Sequence, residues 1–387
     1  MKAVVPIFMF WALSSGLWGQ QVPPQLYSEM DGVHFLDDGT AITFWGYGWM
    51  ADGYITLPAP LLEYEVGEEV SLAFSNPSPE SHTIHLHGLG VDQANDGVPT
   101  TSFYVMTGES TVYEFEATHS GTYLYHCHVT TTLHLTMGMY GMVLVTRPDG
   151  ALFEGGPVVA NDIPLLFSDL EVATTLDPVG SFPFHDIRPD VFMVNGLSGS
   201  QLDEPSEVVY APTVSPTALR LGSMAYSRVV CHFPEGLNAQ LWMSDGRPVP
   251  SESLNELEIF PGERFTVTVQ PDAGFDGEMS VEYWHMVDDV LEDVQTVTIR
   301  DEVFHPSGVE LLATSLGAWH PNPAKGMIQW SGAGSEARAV RVWDVNGSLM
   351  FKGELEAGVG LDVSSWNPGV YLAQVEDCRP TRIVVAE

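Results

Sequence analysis

From about residue 28 to residue 147 the chain alternates short β-prone runs with turn-forming residues. Ala41-Ile-Thr-Phe-Trp45, Leu62-Glu-Tyr-Glu-Val66, Val70-Ser-Leu-Ala-Phe-Ser75 and Thr111-Val-Tyr-Glu-Phe115 interleave apolar with polar positions, the pattern of strands with one face against a core. Strands at this spacing predict a β-sandwich or barrel. Arg147-Pro-Asp-Gly150 and Gly155-Gly-Pro157 punctuate the chain as a domain boundary. A second β-rich stretch follows, and a third unit begins after Pro306-Ser-Gly308. The expected division is a leader over 1–20, β-domains over 21–150 and 151–304, and a small β-domain over 305–387. The class is all-β.

Two further segments read as strands yet carry unusual side chains. They are His82-Thr-Ile-His85-Leu-His87-Gly88 and Gly121-Thr-Tyr-Leu-Tyr-His126-Cys127-His128. Successive side chains on a strand point to opposite faces. His85 and His87 therefore share one face, and His82, three positions back, takes the other. By the same parity His126 and His128 share a face and Cys127 points away from both. Two donor sets are expected. The inner one holds His82 and Cys127, with His134 and Met139 placed just past the second strand to complete it; the outer one holds His85, His87, His126 and His128. Imidazole, thiolate and thioether together suit copper, and two imidazoles with a cysteine and a weak axial methionine form the electron-transfer type of copper site. Four imidazoles on one face could also take zinc, and Met137, Met139 and Met142 also suit plain packing. Because Cys127 is bonded through the backbone to His126 and His128, an electron path between two metal sites is built into the chain.

These segments resemble the cupredoxin-built multicopper oxidases. His82 to Gly88 is similar to that family's HPFHLHG motif, and Asp96-Gly-Val-Pro99 and Gly121 to His128 are similar to its DGVP and GTYWYHSH segments, over roughly residues 40–146. The resemblance implies two cupredoxin-like Greek-key β-sandwich domains followed by the small C-terminal β-sandwich. It implies type 1 copper ligands at His82, Cys127, His134 and Met139, and half of a type 2/type 3 cluster at His85, His87, His126 and His128. The gap from Cys127 to His134 is longer than in laccases and shorter than in copper nitrite reductases, and Gly138-Met139-Tyr-Gly-Met142-Val-Leu-Val145 resembles the nitrite reductase version.

In the second domain, Phe192-Met-Val-Asn-Gly196 and Leu257-Glu-Ile-Phe-Pro-Gly-Glu-Arg264 resemble later-domain segments of the same family. Both HxH pairs are missing; Val230-Cys231-His232-Phe-Pro-Glu-Gly236 and Tyr283-Trp-His285-Met286 stand in their places. The matched motifs therefore do not complete a trinuclear cluster. In nitrite reductases a single copper lies between subunits, on two first-domain histidines matching His87 and His126 and one from a neighbour's second domain. His285 falls at that third ligand and His232 at their second-domain active-site histidine, although either can equally be an ordinary strand or loop residue. His85 departs from the nitrite reductase pattern, which has an acidic proton donor there.

The resemblance thus implies a secreted oxidoreductase that takes electrons from a small-molecule or protein donor at a type 1 copper. They would pass through Cys127 and an adjacent histidine to an interface copper that reduces O2. Nitrite reduction, with His232 and His285 assisting, and a non-enzymatic copper-binding electron carrier are the alternatives. A copper buried between subunits requires a closed ring, so a homotrimer is expected.

Composition narrows the setting. Lys plus Arg number 14 against 51 Asp plus Glu, a net charge of −37, which excludes non-specific binding to nucleic acid or anionic membranes and suits an exported protein or a basic partner. Lys2, the apolar stretch from Ala3 to about Leu17 and small residues up to Gly19 read as a secretory signal cleaved near Gly19 or Gln20. No later apolar run is long enough to span a bilayer. Cys231 and Cys378 could pair in an oxidising compartment but fall in different expected domains. His320-Pro-Asn-Pro-Ala-Lys325, Val340-Arg-Val-Trp-Asp-Val-Asn-Gly347 and Asp362-Val-Ser-Ser-Trp-Asn-Pro-Gly-Val-Tyr-Leu372 resemble the C-terminal sorting domain of type IX secretion. That resemblance implies a partner in the secretion machinery and delivery, via the periplasm, outside the cell or to its surface.

Overall fold

The computed structural model describes residues 25–50, 53–180 and 187–301, together with 319–320, 326–330, 338–344, 349–355, 359–366, 369–375 and 381–385 of the C-terminal unit. The leader expected at 1–20, Pro306-Ser-Gly308 and Cys378 lie outside these residues.

The first unit has eight strands, β1 (Gln25–Phe35), β2 (Ala41–Trp49), β3 (Leu62–Glu65), β4 (Glu69–Ser75), β5 (His85–His87), β6 (Ser110–Glu116), β7 (Gly121–His126) and β8 (Tyr140–Thr146). They form two four-stranded sheets, ordered β2-β1-β4-β6 and β3-β8-β7-β5. β1 runs parallel to β4 and β3 parallel to β8; the other pairs are antiparallel. Tyr47, Leu72, Phe74, Tyr113, Tyr125 and Val143 fill the space between the sheets. Alternation in the sequence becomes alternation in burial where one face meets water, as in β4 and β6. β7 is buried at all six positions, because its second face is covered by the next unit.

That unit contains β9 (Asp162–Leu170), β10 (Val191–Val194), β11 (Val209–Ala211), β12 (Thr217–Ser223), β13 (Arg228–His232), β14 (Gln240–Ser244), β15 (Arg247–Ser253), β16 (Glu256–Ile259), β17 (Arg264–Val269), β18 (Asp276–Trp284) and β19 (Leu291–Asp301). A six-stranded sheet, β10-β9-β12-β17-β14-β15, faces a five-stranded one, β11-β19-β18-β13-β16. Cys231 is a free thiol buried in their common core with Val229, Val281 and Tyr283.

Leu124, Tyr140, Met142 and Leu144 of the first sandwich pack directly on Leu166, Leu170, Met193 and Met224 of the second. Polar links cross the same boundary, including Thr122 Oγ1 to Thr266 Oγ1 at 3.2 Å and Thr43 Oγ1 donating to the Thr175 carbonyl at 2.6 Å. A fully buried large apolar side chain contributes roughly 1.5–3 kcal/mol and a hydrogen bond about 1 kcal/mol net, so packing dominates this interface.

In the C-terminal unit, strands between Trp319 and Val385 form a three-stranded and a four-stranded sheet around Ile328, Val340, Val342, Val363 and Ala373. Among the described residues no helix is long and apolar enough to cross a membrane.

Candidate metal centre

The inner donors converge in the core of the first sandwich. His134 Nδ1 lies 3.0 Å from Cys127 Sγ and His82 Nδ1 lies 3.6 Å from it. The two imidazole rings are 4.9 Å apart, and all three residues are fully buried. Met139 is buried in the same cluster, and its carbonyl accepts the Cys127 N–H at 3.1 Å.

The backbone reaches this arrangement differently from the sequence reading. Continuous strands were expected through both segments, but β5 covers only His85–His87, and His82 sits on an isolated bridge to Val105. β7 likewise ends at His126. Beyond it the Cys127 amide turns to Met139 and the His128 amide to Thr83 Oγ1, 3.2 Å away. The unusual gap to His134 is taken up by a short helix, α1 (Thr131–Thr136), which brings the imidazole back over the sulfur.

Burial leaves this set neutral when no cation is present. It lowers His134 to about 4 and, together with the neighbouring His134, lowers His82 to about 3; it raises the Cys127 thiol to about 11. A soft cation would find two lone pairs already aimed at one sulfur, and would displace the thiol proton. On its outer side His134 Nε2 stands 3.5 Å from a carboxylate oxygen of Glu80, whose side chain is 50% exposed.

The outer imidazoles gather on the opposite side of the same strands. Single nitrogens of His85, His87 and His126 all lie within 4.8 Å of one another, and the His128 ring packs 5.2 Å from His85 and 5.9 Å from His126. His126 Nδ1 faces the Cys127 carbonyl at 3.0 Å, and His85 Nδ1 faces the Asp96 carbonyl at 2.8 Å. Both Nδ1 atoms therefore carry the proton and both Nε2 atoms offer lone pairs. Such outer-shell partners orient metal-binding histidines. His126 is lowered to about 3, chiefly by burial, and His87 to about 4, by burial first and then by the nearby Arg264 guanidinium.

Residues 47–150 match the family model for multicopper oxidase, and residues 318–385 match that for the secretion system C-terminal sorting domain. The first sandwich carries a multicopper oxidase domain. Members of that family bind copper, and the donors described above fit it. Laccase-2 of Cryptococcus neoformans var. grubii is 26% identical over 242 residues, 57% of this chain and 40% of that protein. The copper-containing nitrite reductase of Neisseria gonorrhoeae is 29% identical over 174 residues, 43% of this chain and 40% of its own. The chain spans about two fifths of the length of these curated relatives. Among solved structures, the blue copper oxidase from Nitrosomonas europaea is similar at a TM-score of 0.59 and 26% identity, covering 73% of this chain and 87% of that one. The two large sandwiches are thus cupredoxin-like.

Among the described residues, neither His232 nor His285 joins the imidazole clusters of the multicopper oxidase domain. His232, on β13, lies between Glu256 at 3.4 Å and Glu282 at 3.3 Å. His285 is buried beside Asp288, whose amide donates to its Nδ1 at 3.1 Å. Residues that do approach the clusters escaped the sequence reading as site residues: Glu80 and Arg264. Arg264 closes the segment 257–264 but carries no chemical signature of its own. Tyr226, whose hydroxyl donates to the Thr132 carbonyl of α1, gave no signal either, since that contact spans 94 positions.

Proposed function

We propose that this chain is an exported copper oxidoreductase, with electrons entering at His82, Cys127, His134 and Met139 and leaving through His85, His87, His126 and His128. The observation that carries the reading is the Cys127 thiol held 3.0 Å from His134 Nδ1 while the Cys127 carbonyl accepts from His126 Nδ1 at 3.0 Å. One residue thus belongs to the inner set through its side chain and touches the outer set through its backbone. Copper bound at these donors supplies one-electron redox chemistry.

The protein residues supply everything around that. Burial keeps the inner imidazoles unprotonated and excludes water from the sulfur. Glu80, half exposed and 3.5 Å from the buried His134 Nε2, marks the side from which a donor approaches. The Cys127 main chain and the His126 ring carry the electron across a single residue. The proton-bearing Nδ1 atoms of His85 and His126 hold those rings with Nε2 turned to the acceptor side. O2 is the favoured acceptor, since the multicopper oxidase model covers the residues that hold both sets.

Nitrite reduction is the second reading, favoured by the nitrite reductase relative and by the closeness of His87 and His126 in the outer cluster, a pair that a neighbour's His285 would complete in a homotrimer, with His232 close by. The C-terminal unit then serves as an export address, read by secretion machinery and leading to the cell surface or beyond.

Elemental analysis of the mature protein, with visible and electron paramagnetic resonance spectra, tests the core claim. Copper in both environments, and oxygen uptake with a reducing donor that stops in His126→Ala, are expected. Nitrite turnover lost in His285→Ala would select the second reading. A blue copper with no turnover would make the chain an electron carrier, and zinc without colour would overturn the proposal.

A further inference from the structure

The helix that presents His134 is poorly equipped to hold itself. α1 has only six residues, and its N-cap, Thr130, has φ +42° and makes no side-chain cap hydrogen bond. Isolated helices of this length are unstable in water. A left-handed conformation on a β-branched residue adds a cost of roughly 1–2 kcal/mol. Inside the first sandwich Leu133 and Met137 anchor the helix to the core, and Thr136 Oγ1 donates to the Thr132 carbonyl at 2.8 Å.

The Trp45 amide donates to the Met137 carbonyl at 2.8 Å, and a further restraint comes from the other sandwich. Tyr226, in the turn between β12 and β13, donates its hydroxyl to the same Thr132 carbonyl at 3.0 Å. Tyr226 is itself pinned at its backbone. Its amide donates to Asp169 Oδ1 and the amide of Ser227 to Asp169 Oδ2, both at 2.8 Å. Asp169 is buried on β9, where a carboxylate holding two N–H groups leaves the turn little freedom. A chain of contacts therefore runs from Asp169 through Tyr226 and Thr132 to His134, two residues further along the helix.

We propose that Tyr226, held by Asp169, is a positioning residue for the inner site. It fixes the helix that presents His134 to Cys127, so the second sandwich sets the geometry of a metal site to which it lends no donor. The proposal rests on the reading of His82, Cys127, His134 and Met139 as copper ligands.

Tyr226→Phe in the full chain is the test, read in two ways. In the metal-free protein, amide exchange across residues 130–139 should quicken about five- to tenfold, the effect of losing one hydrogen bond to a partly buried carbonyl, while β4 stays unchanged. In the copper-loaded protein the inner-site visible bands and copper hyperfine splitting should shift with copper content unchanged. Asp169→Asn should move both readouts the same way and by less, and it carries the test if Tyr226→Phe does not fold. A spectrum identical to that of the unaltered protein overturns the proposal. So does exchange that rises uniformly through the first sandwich, which marks a structural role only. If the unaltered chain takes up no copper, the ligand reading fails by itself, and the exchange comparison still decides whether Tyr226 holds the helix.

Discussion

Arg264 Nη2, reaching over from the second sandwich, lies 2.3 Å from where a Cβ on Gly88 would stand. Gly88 also has φ +86° and follows the outer histidine His87 directly. Gly88→Ala should therefore destabilise the protein by at least about 1–2 kcal/mol from backbone strain alone and displace Arg264 as well. Gly90→Ala, whose nearest neighbour would be 3.6 Å away, should stay within about 0.5 kcal/mol of the original. Denaturant titration of both variants checks this; equal stabilities would show that Arg264 does not press on Gly88.

The same guanidinium bears on His87. Burial is the larger cause of its low pKa of about 4, and Arg264 is the next. Arg264→Met should thus raise the His87 midpoint in the metal-free chain, which nuclear magnetic resonance titration of the imidazole would report. A midpoint that does not move would mean that the charge is not felt across the domain boundary.

Cys127→Ser should separate the two sites. The serine keeps the volume but cannot supply the thiolate that a strong blue chromophore needs. Visible colour should vanish and copper content fall, while paramagnetic copper at His85, His87 and His126 persists. Retained colour would place the chromophore elsewhere.

Asp169 makes a pH prediction. Burial raises its pKa from 3.8 to about 6, against the lowering effect of the Ser227 and Tyr226 hydrogen bonds. Between those values the folded chain binds more protons than the unfolded one, so stability contributed below pH 3.8 is lost as pH rises to about 6, by up to roughly 3 kcal/mol. Comparing unfolding free energies of the original protein and Asp169→Asn between pH 4 and pH 7 isolates this contribution. The original should lose stability relative to the variant across that window; parallel curves would show that Asp169 ionises normally.

Most of the two donor sets was legible before any fold was known, because strand parity is a local property. His85 and His87 gather with His126 on one side, and His82 and Cys127 meet on the other. The parity argument reached this grouping from strands longer than those that form. His82 is set by its bridge to Val105, and Cys127 and His128 by contacts with Met139 and Thr83. The helix carrying His134 was not legible, since six residues with an uncapped, left-handed start have no periodic signature, and long-range contacts hold them there.

The order of residues along the chain determined the all-β class and the grouping of the candidate donors, because alternation, turns and ligand spacing act between neighbours. Tertiary structure alone decided why β7 is buried on both faces, where Arg264 and Glu80 stand, and how Tyr226 comes to hold the His134 helix. Those relations join residues tens to hundreds of positions apart. Their energy comes from contacts within the first sandwich and across the domain boundary, which no local pattern encodes.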